Sequence, residues 1–153
     1  KRNTRLVLTS LVLTTALLLG ILWFYWEWPM NMDSLLPEEN WVRAELRWCR
    51  VADSYYESEF ENAEPDRLLQ QMGAVRLTRT EKRPYLDDHY FQINLYKGEP
   101  YPTMIYVGNT GRVEIARELD FDHWAYYEGG EDFYRWLESY SRTLPAVMEI
   151  PSP

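Results

Sequence analysis

The chain holds two histidines, and each follows acidic residues: Asp87-Asp88-His89 and Asp120-Phe121-Asp122-His123. Carboxylate oxygen and imidazole nitrogen are ligands that divalent metals accept. Asp88, His89, Asp122 and His123 are therefore the candidate set for a metal-binding domain or a metal-dependent enzyme. Their spacing matches no zinc signature, and polar residues gather beside strands in any case. Asp120, Asp122 and Glu131 fall where a calcium loop has its first, third and last ligands. Trp124 and Ala125 then stand where that loop needs a ligand and a glycine. Nucleophilic chemistry has less support. Cys49 has no histidine near it in sequence, no serine lies in a G-x-S-x-G turn, and there is no glycine-rich phosphate loop. Glu57, Glu59 and Glu61 alternate along one strand face and read as solvated surface. The expectation is a non-catalytic protein without a cofactor.

The stronger signal is aromatic. Tyr55 and Tyr56 lie in an acidic stretch at residues 53–61; Trp124, Tyr126 and Tyr127 lie in another at residues 120–131. Tyr and Trp dominate binding hot spots because they bring contact area at little entropic cost. If both stretches are loops at one end of a sheet, these five rings form a platform rimmed by carboxylates. Charge points to the partner. The chain carries 16 basic and 24 acidic side chains, net −8. Lys1, Arg2, Arg5 and Glu27 give residues 1–28 a net +2, which leaves −10 for the remainder. Such a surface repels nucleic acid, whose phosphates need basic groups, and suits a basic protein or peptide.

The elements that must position these residues begin with an apolar stretch. From Leu6 to Trp26 there is no charge across 21 residues. As a helix this is roughly 31 Å long, which matches a hydrocarbon core of about 30 Å. Trp23, Phe24, Tyr25, Trp26 and Trp28 crowd one end, where amphipathic rings favour the headgroup layer, and Lys1, Arg2 and Arg5 flank the other. Residues 6–28 thus predict a transmembrane helix in contact with the lipid bilayer. Residues 1–5 are then cytoplasmic and the remainder extracytoplasmic. A cleaved signal peptide is the rival reading, but its apolar region is shorter and ends in small residues; this one ends in WFYWEW. The single cysteine excludes an intrachain disulfide, and Cys49 is expected to be structural, on a strand face that argues mildly against deep burial.

Residues 29–40 read as a juxtamembrane linker and residues 41–144 as one α+β domain. Val42, Ala44, Leu46 and Trp48 alternate with Arg43, Glu45, Arg47 and Cys49, which is a half-buried strand. A helix starts at Pro65 and ends at Gly73. Four strands follow, at 74–80, 89–97, 103–107 and 112–117, the last two joined by the hairpin signal Gly108-Asn109-Thr110-Gly111. Phe133, Trp136, Leu137, Tyr140 and Leu144 mark one face of a closing helix at 131–144, and residues 145–153 form a flexible tail. The order β-α-β-β-β-β-α with short connections implies a mainly antiparallel sheet with helices on one face.

On the lead-in Asp33-Ser34-Leu35-Leu36-Pro37, the short helix at 66–72, the strands at 89–97 and 104–117 with their Gly108–Gly111 turn, and the closing Phe133, Trp136 and Leu137, the chain resembles a group of small membrane-anchored extracytoplasmic domains of Gram-positive bacteria. Some of these are appended to receptors of the BlaR/MecR type. The resemblance covers residues 33 to 144. It implies an anchored accessory or sensory role and carries over no functional residue.

Overall fold

The computed structural model describes residues 2–36, 40–50, 55–60, 62–81, 88–98, 101–116 and 124–149, with side chains of 2–8, 25–27, 55–58 and 147–149 outside that description. The described chain is α+β: three α-helices and one nine-stranded sheet whose neighbouring strands all run antiparallel.

Helix α1 spans Arg2–Glu27. Leu and Ala favour it, no proline interrupts it, and the Thr14 and Thr15 hydroxyls donate back to the Ser10 and Leu11 carbonyls at 2.9 Å. That pattern removes two polar groups from the helix surface. Leu11, Val12 and Leu13 are all exposed. Successive residues are separated by about 100° around a helix, so these three side chains point to different sides of α1. Among the described residues no helix is long and apolar enough to cross a membrane.

The sheet order is β1-β4-β8-β7-β6-β5-β2-β3-β9. Its strands are β1 (Met30–Asn31), β2 (Arg43–Arg50), β3 (Tyr55–Phe60), β4 (Arg76–Thr80), β5 (His89–Tyr96), β6 (Thr103–Gly108), β7 (Val113–Ala116), β8 (Trp124–Glu128) and β9 (Ala146–Glu149). The expected alternation holds in the centre. Leu46, Ile93, Ile105 and Ile115 lie opposite one another across four strands and are all buried. Against them pack Leu68 and Met72 of α2 (Pro65–Met72) and Phe133 and Leu137 of α3 (Glu131–Ser141). The helices are tied to each other as well: the Glu64 N–H donates to the Tyr140 hydroxyl at 2.9 Å, and the Arg67 guanidinium lies 4.7 Å above the Tyr140 ring.

Three strands replace segments expected to be irregular. Residues 29–40 are not a plain spacer: β1 pairs with β4, and a 3₁₀ turn (Asp33–Leu35) sends Met32, Leu35 and Leu36 into the core. The acidic stretch at 120–130 contains β8, paired with β4 and β7. The tail contains β9, paired with β3, so residues 146–149 are held in the sheet. The closing helix also stops earlier than expected, at Ser141. Gly73 ends α2 without a left-handed conformation. A Cβ there would stand 3.0 Å from the Asp33 carboxylate of the 3₁₀ turn. Left-handed geometry appears at Gly111 and Gly129, with φ of +85° and +106°. Gly129 sits between β8 and α3 where a Cβ would come within 2.6 Å of the Arg76 carbonyl oxygen.

Candidate functional site

Period-2 alternation turns half of every strand away from the helices. On that second face the ladder registers align one row across seven strands: Thr80, Tyr126, Glu114, Tyr106, Gln92, Arg47 and Glu59. A second row holds Trp124, Ala116, Met104, Asn94 and Glu45. None of these residues belongs to the helix-covered core cluster.

One half of the face is aromatic. Tyr106 stacks on Trp124, with centroids 5.1 Å apart and planes 15° from parallel, and Tyr90 meets Tyr106 edge-on at 5.5 Å. These three rings and Tyr126 are all half-buried. Ala116, opposite Trp124 in the ladder, is 1% exposed, consistent with a ring layer lying over a small residue. Stacked and edge-to-face pairs of this kind hold one another in place, so the surface is pre-ordered.

The other half is a polar clasp centred on Glu45. Its Oε2 accepts from Tyr96 Oη at 2.9 Å, Arg47 Nη2 at 3.2 Å and Asn94 Nδ2 at 3.3 Å, while Oε1 faces Arg43 Nη2 at 3.4 Å. Gln92 Nε2 donates to Asn94 Oδ1 at 2.9 Å, which extends the network along β5. Arg47 also reaches Glu59 at 3.5 Å, and the Arg43 guanidinium lies 4.0 Å above the Tyr96 ring. Burial, then the Glu45 hydrogen bond and charge, push the Tyr96 hydroxyl above its ordinary pKa, against a smaller opposing pull from Arg43 and Arg47. The Glu45 lone pairs are committed to these donors. The carboxylate therefore ties β2 to β5, and Arg47 carries the network on to Glu59 of β3.

The five rings expected to form one platform separate. Strand β8, with Trp124, Tyr126 and Tyr127, lies five strand spacings from β3, with Tyr55 and Tyr56, or roughly 24 Å at about 4.8 Å per step. Both segments are strands rather than loops. Tyr127 points to the helix side and is buried in the core; the side chains of Tyr55 and Tyr56 lie outside the described residues. Trp124 and Tyr126 remain on the second face, where Trp124 stacks on Tyr106 and Tyr106 meets Tyr90. The alternation in β5 already turned Tyr90 outward. What it could not show was that β6 and β8 would lie close enough to complete a cluster.

Of the histidine pairs, Asp88 is exposed and His89 stacks on Trp48, with centroids 5.2 Å apart and planes 7° from parallel. Asp122 and His123 lie outside the described residues. Among the described residues no group of three His, Cys, Asp or Glu is placed to hold a metal ion. Cys49 is 1% exposed, against the expectation of a partly exposed face. In the ladder its register with β3 shifts between Trp48 and Cys49, and on the other side Cys49 lies opposite Tyr90. Comparison with protein families, with curated proteins and with solved structures finds no match to this chain.

Proposed function

We propose that the chain is a single-pass, membrane-anchored binding module with a cytoplasmic N-terminus and an extracytoplasmic α+β domain. It is non-catalytic and engages a protein or peptide partner through the ring-bearing half of its second sheet face, around Trp124. What supports the anchor is a helix of 26 residues whose described Leu, Val, Ile, Trp and Phe side chains between Leu11 and Phe24 are exposed. Exposed apolar side chains in that number suit a bilayer, and α1 meets the rest of the chain chiefly near β4. The uncharged run from Leu6 to Trp26 and the basic Lys1, Arg2 and Arg5 support its orientation. The pre-ordered rings support binding, and the accessory or sensory role implied by the pattern resemblance is part of the same reading.

Protease added to intact cells tests the topology. The expected result is digestion of the domain, with a fragment retained in the membrane through an alkaline carbonate wash. Recovery of the whole chain in the soluble fraction overturns it.

A further inference from the structure

The ring-bearing half of the second face has a carboxylate built into it. Strand register sets Glu114 of β7 opposite Tyr106 on one side and Tyr126 on the other. Opposed residues in an antiparallel ladder stand about 5 Å apart at Cβ, so the acid lies between two phenol-bearing neighbours. Tyr106 leans along its own strand, where its hydroxyl donates to Met104 Sδ at 3.9 Å. Met104, Ala116 and Trp124 make up the next row, and there Trp124 stacks on Tyr106 from two strands away. The stack therefore spans β7 beside Glu114. Glu114, Trp124 and Tyr126 are half-buried, so each keeps part of its surface open.

Charge and shape together select an occupant. From Thr80 to Gln92 the row of Glu114 holds no base, and Arg47, beyond Gln92, is tied to Glu45 and Glu59. One row away, the β7–β8 register carries Arg112 to a place opposite Glu128, so those two charges offset each other. A cation is therefore the ligand this row favours, on a chain of net charge −8. Among cations the guanidinium is planar: it can lie on a ring face while its N–H fork meets a carboxylate, whereas an ammonium is a compact point charge. The protein already uses that combination on the far half of the same face. There the Arg43 guanidinium lies 4.0 Å above the Tyr96 ring and 3.4 Å from Glu45.

We infer that the ring surface takes an arginine side chain of its protein or peptide partner, the guanidinium over the rings of Trp124 and Tyr126 and its N–H groups toward Glu114. The inference rests on the ring-surface binding proposed above and names the residue that the partner must present.

The test uses the full chain in uncharged detergent micelles and a fluorescent peptide, Gly-Ser-Arg-Gly-Arg-Ser-Gly, read by anisotropy. Two companion peptides replace both arginines by lysine, which keeps the charge without the plane, or by citrulline, which keeps the plane without the charge. Saturable binding of the arginine peptide is expected, about threefold weaker with lysine and about tenfold or more weaker with citrulline. Trp124→Ala should weaken the arginine peptide about tenfold or more and erase its advantage over lysine. Glu114→Gln should weaken the arginine and lysine peptides about threefold and leave the citrulline peptide unchanged. Asp132→Asn, on the exposed side of α3, should change nothing. Equal binding of all three peptides, each weakened by Trp124→Ala, overturns the arginine inference and leaves the ring surface standing; so does a lysine peptide that binds as well as the arginine one. Arginine binding indifferent to both Trp124→Ala and Glu114→Gln overturns the inference and the ring surface together. Equal weakening by Asp132→Asn and Glu114→Gln overturns the inference too, because binding would then follow net charge, as does a lack of saturation at concentrations on the order of 1 mM.

Discussion

Tyr96 shows what a single hydroxyl does in this sheet. Its proton is held by Glu45 and its pKa is raised in the folded chain. A raised folded-state value means that the native state keeps the proton longer than the unfolded chain, so its contribution is complete below the unfolded pKa of about 10 and is lost as pH rises through the folded value. Urea titrations from pH 8 to 11 should show stability falling above about pH 10, and Tyr96→Phe should flatten that fall. Glu45→Ala is the harsher change, since it strands Asn94 and Arg47 as well. It should cost roughly 2–4 kcal/mol in the same titration at neutral pH, the range expected when several buried donors lose one charged acceptor. For partner binding, Trp124→Ala should cost more affinity than Glu114→Gln, measured against whatever basic partner is captured. Anchored rings carry about 2 kcal/mol or more in interfaces, and rim charges well under about 1. A larger effect at Glu114 would remove Trp124 from the centre of the surface.

At the scale of elements, the legible parts were those whose own side chains alternate. Strands β2 and β5 announce their faces within eight residues, and α3 shows its apolar stripe through Phe133, Leu137 and Tyr140. The Gly108–Gly111 turn is explicit in its residues, and Gly111 does adopt the positive φ it promised. Strand β8 hid behind its neighbours. Trp-Ala-Tyr-Tyr-Glu has strand-forming rings, but acids before it and glycines after it resemble a loop, and only Tyr127 of its five residues is fully buried. Strands β1 and β9 are two and four residues long, too short for any period to appear. They exist because a partner strand is already in place to receive them. The same reason kept the ring cluster out of sight, because Tyr90, Tyr106 and Trp124 become neighbours only through ladder register. The Gly129 turn carries the joint between β8, β4 and α3. Gly129→Ala should destabilise the domain by about 1–3 kcal/mol, from the strained φ and the approach to the Arg76 carbonyl, and a thermal melt would show it. An unchanged midpoint would mean that the joint is slack.

For the molecule as a whole, the way α1 meets the sheet has a mechanical consequence. The helix ends at Glu27 and β1 begins at Met30, so the chain crosses from one to the other with almost no slack. A twelve-residue tether would have let the domain roam over tens of ångströms; this junction lets it pivot on a short stalk. If α1 stands in a bilayer, the β1 edge of the sheet is pinned at the lipid surface and the β9 edge is the far end. Trp124, on the third strand from the pinned edge, then rides low, about 10 Å above the point of attachment at roughly 4.8 Å per strand. Under that anchoring, anything that binds there would have to come down to the membrane, and a soluble protein too bulky to graze that surface would be shut out by reach alone, whatever its affinity.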